Sequence, residues 1–155
     1  MIEPLQLSFE VACSVDHAFS TWTSRIGTWW PADHTVSGSG AAAVILEPSL
    51  GGRLYERTIE GTEHEWGEVT VWEPPRRFGY LWHLRSTRED ATDVEISFTP
   101  VGDASTRVDI LHTGWERLGE GGENWRDRNF GGWSTLLPHY KALIDEPNHP
   151  ERGNA

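Results

Sequence analysis

The chain has 155 residues, 37% hydrophobic and 24% charged, a balance that fits one soluble globular domain with a core of useful size. Thirteen Lys and Arg against 24 Asp and Glu give a formal net charge of −11, which repels phosphate backbones and anionic membranes and argues against nucleic acid as a partner. No apolar run approaches the roughly 18 residues of a membrane span, and a lone Cys13 excludes an internal disulfide or a CxxC motif. The N-terminus MIEPLQLSFEV lacks the basic and apolar regions of a secretory signal, so a cytoplasmic location is expected. The anomaly is nine Trp, a residue that suits cores, ligand cavities and interfaces alike.

The first element is a strand. In LQLSFEV, Leu5, Leu7, Phe9 and Val11 share one face, and Gln6, Ser8 and Glu10 the other. The segment SVDHAFSTWTSRIGTWWP then reads as helix. Ser14 is its N-cap candidate, and Val15, Ala18, Phe19 and Trp22 fall on one face. Gly27 ends that helical segment, intact or broken in two, and Pro31 starts a loop. SGSGAAA at 37–43 leads into a short strand, Val44 to Glu47.

Turn signals at Pro48 to Gly52, Glu60-Gly61-Thr62, Pro74-Pro75 and Gly102-Asp103 separate the strands that follow. Phe78, Tyr80, Trp82 and Leu84 make the more apolar face of one. Val94, Ile96 and Phe98 oppose Asp93, Glu95 and Ser97 in the next, and Val108, Ile110 and His112 oppose Arg107 and Asp109 in the last. This alternation belongs to an antiparallel sheet buried on one side. Residues 116–128, glycine-rich and charged, read as a loop or partly helical connector. An amphipathic helix is predicted over about 129–145, with Trp133, Leu136, Leu137, Tyr140, Leu143 and Ile144 on one face and a kink at Pro138. The tail, 146–155, reads as disordered. The order implies a single α+β domain over residues 1–145: a curved antiparallel sheet of six or seven strands wrapped on a long C-terminal helix.

GGRLYERTIEGTEHEWGEVTVWEPPRRFGYLWH, residues 51–83, resembles the SRPBCC (START-like) superfamily, in particular the branch named after the activator of the heat-shock-protein-90 ATPase. The resemblance rests on Gly51-Gly52-Arg53, Gly67-Glu68-Val69, Pro74 to Arg77, and Tyr80 to Trp82. AFSTWTSRIGTWWP, TRVDILHTGWE at 106–116 and the GW opening the final helix match as well. It implies a helix-grip (START/Bet v-like) fold, often with an apolar cavity between sheet and C-terminal helix. Trp133 and Tyr140 would then wall that cavity, or else fill the space as core.

Parity adds polar candidates. Glu56 and Thr58 share the inward face of Leu54, whereas Arg53, Tyr55 and Arg57 look outward; His112 follows Val108 and Ile110 inward. A buried carboxylate needs partners. Glu56 and His112 therefore either satisfy each other or other donors, or orient a ligand, in which case they are also general acid–base candidates. The predicted ligand-binding set is Glu56, Tyr80, Trp82, His112, Trp133 and Tyr140. His64, His83 and His112 show no metal-ligand spacing and no cofactor motif occurs, so neither a metal nor a cofactor is expected. Asp33-His34, after Trp29-Trp30-Pro31, offers acid–base chemistry at a pocket mouth, although a loop Asp–His pair is more commonly just solvated.

The leading reading is a non-enzymatic domain that binds a small hydrophobic or aromatic molecule. The resemblance also implies a cyclase- or hydrolase-like enzyme using the same cavity, or a co-chaperone-like interaction module. Trp66 and Trp72 exposed on the outer sheet face would favour that last reading, with a chaperone or a second copy as partner. Fold-level likeness does not choose among these.

Overall fold

The computed structural model describes residues 2–38, 41–83 and 88–145. Period-two alternation becomes seven strands: β1 (Leu5–Val11), β2 (Ala41–Leu46), β3 (Arg53–Thr58), β4 (Glu63–Glu73), β5 (Arg77–Trp82), β6 (Thr92–Gly102) and β7 (Ser105–Thr113). They form one antiparallel sheet in the order β1-β7-β6-β5-β4-β3-β2, curled as a half-barrel. The faces expected for β1, β6 and β7 hold: Leu5, Val94, Ile96, Phe98, Val108, Ile110 and His112 are all buried. Strand β2 begins at Ala41, earlier than expected.

Two short helices follow β1. Helix α1 (Val15–Thr23) is capped by Ser14, whose Oγ accepts from His17 N at 3.2 Å, and buries Ala18, Phe19 and Trp22. Helix α2 (Ile26–Trp29) contains Gly27 instead of ending at it. A Cβ there would stand 2.8 Å from Val44 O, so glycine lets α2 lie directly on β2. Pro31 then leads into a 3-10 turn, Ala32–His34.

The final helix, α3 (Gly122–Ile144), starts about two turns before the expected boundary, after a 3-10 segment at Trp115–Gly121. Glycine content lowers helix propensity, but tertiary contacts override it here. Arg126 Nε and Nη2 donate to Glu3 O and Pro4 O at 2.8 and 3.1 Å, tying the first turns of α3 to the entrance of β1. The apolar face is the expected one, with Trp133, Leu136, Leu137, Tyr140, Leu143 and Ile144 all buried. Each buried Leu or Ile contributes about 1.5–3 kcal/mol. Tyr140 also donates from its hydroxyl to Ala18 O at 2.8 Å, joining α3 to α1. The tail, 146–155, and the position of Leu84 lie outside the described residues.

Three side chains depart from parity. Trp66 is wholly buried and Trp72 half-buried against Phe19 and Phe78, so neither makes an exposed aromatic outer face. The register of β4 shifts at both places: Leu54 pairs with Gly67 but Tyr55 with Glu65, and Val69 with Tyr80 but Val71 with Gly79. Each bulge inserts one residue and resets the alternation. Tyr55 does lie between Arg53 and Arg57 yet is buried, because their guanidinium carbons cover its ring at 4.0 and 5.7 Å from the centroid. Cys13, the single cysteine, is half-buried.

Candidate functional site

Between the sheet and α3 the fold leaves a cavity of about 320 Å³. Five indoles form most of its wall: Trp30 beyond α2, Trp82 at the end of β5, Trp115 after β7, and Trp125 and Trp133 on α3. Leu118 and Leu136 add aliphatic surface. Three of the indoles spend their N–H inside the protein. Trp30 Nε1 donates to His34 O at 3.0 Å, Trp115 Nε1 to His112 O at 3.0 Å, and Trp133 Nε1 to His112 Nδ1 at 3.2 Å. What those rings offer a guest is therefore aromatic surface. Of the six residues predicted to bind a ligand, Trp82 and Trp133 stand in this wall; Glu56, Tyr80, His112 and Tyr140 lie behind it.

Glu56 and His112 do not bond to each other; each braces a different tryptophan. Glu56 is fully buried on β3. It accepts from Trp66 Nε1 at 2.8 Å, Val36 N at 2.6 Å and Ser37 N at 2.9 Å, and also from Ser37 Oγ. Burial opposes its ionisation, but the hydrogen bonds from Ser37, Val36 and Trp66 outweigh that and hold the carboxyl below its ordinary range. Trp66 in turn packs on Trp30 and Trp82, with centroids 5.2 and 6.0 Å away. Glu56 thus anchors the loop at 36–37 and, through Trp66, the back of the cavity wall.

His112 works in the same way. An indole can only donate, so His112 Nδ1 must be bare and its proton must sit on Nε2. Nε2–H then donates to Thr92 Oγ1 at 2.7 Å, and Thr92 Oγ1 donates to Trp82 O at 3.4 Å. The chain Trp133–His112–Thr92–Trp82 runs from the Trp133 indole to the backbone carbonyl of Trp82 through one buried ring. Burial pushes the imidazole down to about 3, so it stays neutral. Tyr80 lies between Phe78 and Trp82, at 5.8 and 6.0 Å, and burial raises its phenol well above its ordinary range.

The sequence matches the model of the family described as "Activator of Hsp90 ATPase homolog 1-like protein" over residues 12–144, most of the chain. The chain belongs to that family. Its members' architecture, the START-like ligand-binding fold, recurs among solved structures similar to this chain. An anthrahydroquino-Gama-pyrone synthase, Txn09, solved as a complex, is 37% identical over 79% of this chain and 84% of its own, with a TM-score of 0.58. The self-sacrificing resistance protein CalC from Micromonospora echinospora is 27% identical over 92% and 94%, with a TM-score of 0.71. An HSP90 activator from Plasmodium falciparum, PFC0360w, is 21% identical over 91% and 94%, with a TM-score of 0.61, a likeness of fold alone. Among curated protein sequences none matches the chain.

In this family member the mouth of the cavity carries charged and polar groups, among them the Asp33–His34 pair that the sequence offered for a pocket mouth. Asp33 and His34 both border it, as do His83, Asp90, Arg128 and Asn129. His34 Nδ1 lies 2.8 Å from Asp33 Oδ1, and His34 Nε2 lies 2.9 Å from Thr135 Oγ1 on α3. The hydrogen bond from His34 lowers the Asp33 carboxyl, which stays ionised. Arg128 stacks on Trp125, its guanidinium carbon 5.4 Å from the ring centroid. Trp30, Trp115 and Trp125 were not in the predicted set. Their sequence signal was the excess of Trp, with Trp30 and Trp115 also lying in stretches that carry the family resemblance; none falls in a strand whose parity could be read. Among the described residues no three His, Cys, Asp or Glu side chains converge as a metal site would require, and no helix is long and apolar enough to cross a membrane.

Proposed function

We propose that residues 1–145 form one domain that binds a small hydrophobic, aromatic molecule in the cavity between sheet and α3. The observation that carries this reading is the concentration of five of the nine Trp around a single opening, three of them with the N–H already committed inside the protein. A volume of about 320 Å³ is at the small end of ligand pockets, which suits a guest of roughly two or three fused rings. In this reading Trp82 and Trp133 touch the ligand, while Glu56, Tyr80, His112 and Tyr140 serve it by fixing the indoles. Titration with 2-naphthol tests it: saturable quenching or shift of tryptophan emission is expected, and an unchanged spectrum at saturating concentrations would refute the reading.

The likeness to a synthase at 37% identity supports a second reading, a cyclase-like enzyme using the same cavity. Its chemistry would fall to the groups at the mouth, because the nitrogens of His112 and the oxygens of Glu56 are already occupied by the protein.

A further inference from the structure

One buried polar side chain is left over when the rest have their partners. Thr23, Thr35 and Thr106 donate to Phe19 O, Ala32 O and Cys13 O at 2.9, 2.6 and 2.9 Å, and Thr58 Oγ1 accepts from Thr62 N at 3.1 Å. Thr21 Oγ1 pairs with His17 Nε2 at 3.4 Å, and Glu56, Thr92 and His112 bond within the network behind the cavity wall. His83 is the exception. It is only 8% exposed, yet its Nε2 is the one buried side-chain nitrogen or oxygen among the described residues that lacks a hydrogen-bond partner. Glu65 Oε2 lies 3.6 Å from that nitrogen, outside hydrogen-bond reach. A histidine buried in this way costs stability unless something else satisfies it.

Its position gives the ring a use. His83 directly follows Trp82, the last residue of β5, and its backbone N–H donates to Trp66 O at 2.7 Å. The backbone is thus fixed beside two indoles, and the side chain lines the cavity together with Trp30, Trp82 and Trp115. Nε2 is shut away beside Glu65, whereas Nδ1 is neither bonded to a described residue nor closed off. A neutral imidazole carries one proton. On Nε2 that proton lies nearest the Glu65 carboxylate, whose negative charge favours it there, and Nδ1 is left as a bare acceptor.

A bare acceptor calls for a guest that donates. The surrounding charge points the same way: Asp33 and Asp90 border the opening, Glu65 stands behind the ring, and the chain carries −11. Of the positive groups there, Arg128 lies over the Trp125 ring and His34 is engaged by Asp33 and Thr135. A carboxylate guest is therefore disfavoured relative to a neutral hydroxyl. We propose that His83 is the polar anchor that sets the specificity of this cavity: Nδ1 accepts from the hydroxyl of a phenolic guest whose rings lie against the indoles. No covalent bond forms or breaks. The inference rests on the ligand-binding reading above and names a ligand class for it.

The test compares 2-naphthol, 2-methoxynaphthalene and 2-naphthoate as probes of the full chain, with affinities read by tryptophan emission. The preference for 2-naphthol over its methyl ether should be about fivefold greater in wild type than in His83→Phe, the effect of one neutral hydrogen bond. His83→Asn hangs an amide oxygen on the same γ carbon as Nδ1 and should keep most of that preference. 2-Naphthoate should bind wild type more weakly than 2-naphthol. In wild type, the ¹⁵N resonance of His83 Nδ1 should move when 2-naphthol is added and hold its place with the methyl ether, a readout that needs no variant to fold. An equal preference in wild type and His83→Phe, its loss in His83→Asn, an unmoved Nδ1 resonance or tighter binding of 2-naphthoate overturns the anchor and leaves the ligand-binding reading standing. Absence of binding by all three probes overturns both.

Discussion

Two acid–histidine sets sit on either side of the same indoles. Behind the wall, Glu56 and His112 are 0% exposed and saturated with internal hydrogen bonds. At the mouth, Asp33 and His34 border an open cavity and bond to each other, and His34 bonds to Thr135. The residue types are nearly identical, and environment alone separates their roles. A polar group that has used all its lone pairs and protons inside the protein stabilises the fold; a solvent-exposed one, such as the Asp33 carboxylate, keeps acceptor capacity for a guest.

That contrast can be broken most forcefully at Glu56. Glu56→Ala strips the acceptor from Trp66 Nε1, Val36 N and Ser37, and should destabilise the protein by about 3–5 kcal/mol in denaturant titration, the scale of leaving several donors without their acceptor at about 1–3 kcal/mol each. Its folded-state carboxyl is lowered, so the stabilisation is present above the ordinary carboxylate range and is lost as pH falls through it. Glu56→Gln should show a correspondingly flatter acid limb. A loss below about 1 kcal/mol would mean that Glu56 is no brace.

His112 gives the next effect. Its folded-state value of about 3 lies below the ordinary 6.5, so stability is full above pH 6.5 and declines toward pH 3 as the unfolded chain binds a proton that the folded ring refuses. The slope from this group approaches 1.4 kcal/mol per pH unit. His112→Phe should flatten the slope and lower stability near neutrality by about 1–3 kcal/mol, because Trp133 Nε1 loses its acceptor. In ligand titrations it should weaken polar and apolar probes alike, acting through the wall. A loss confined to probes with a polar group would make His112 a direct ligand contact.

Smaller effects belong to the wall and the mouth. Trp82→Phe should weaken 2-naphthol by about 0.5–1.5 kcal/mol in the emission titration, one aromatic contact's worth, with little change in the unfolding midpoint. His34→Gln should alter stability by less than about 0.5 kcal/mol, as a rim substitution does. If His34→Gln unfolds the protein as readily as Glu56→Ala, the distinction between brace and mouth is void.

Much of this fold was legible because burial follows period. Leu5 to Val11, Val94 to Phe98 and Val108 to His112 alternate without interruption, and the α3 face from Trp133 to Ile144 keeps helical spacing. Legibility failed where tertiary contact overrode local signal. Bulges turned Trp66 and Trp72 against parity, and the Arg126 tie let α3 run through a glycine-rich start. The inward direction of Glu56 and His112 was readable, but whether they faced a guest was not. That depends on which indole N–H groups reach them from α3 and β4, contacts distant in sequence. Asp33 and His34 carry no periodic signal; the sequence could offer them for a pocket mouth but not decide against a solvated loop pair, and the packing of their loop beside Trp30 and Thr135 brings them to the cavity.

The most direct test of the cavity assignment is the set of nine indole N–H resonances in a ¹H–¹⁵N spectrum, assigned by single Trp→Phe substitutions and followed during titration with 2-naphthol. The account predicts that Trp30, Trp82, Trp115, Trp125 and Trp133 move together with one affinity, while Trp29, which donates to Thr21 O inside the core, and Trp72, on the far side of the sheet's aromatic cluster, stay in place. Shifts confined to Trp22, Trp29 or Trp72, or none at saturation, would contradict it.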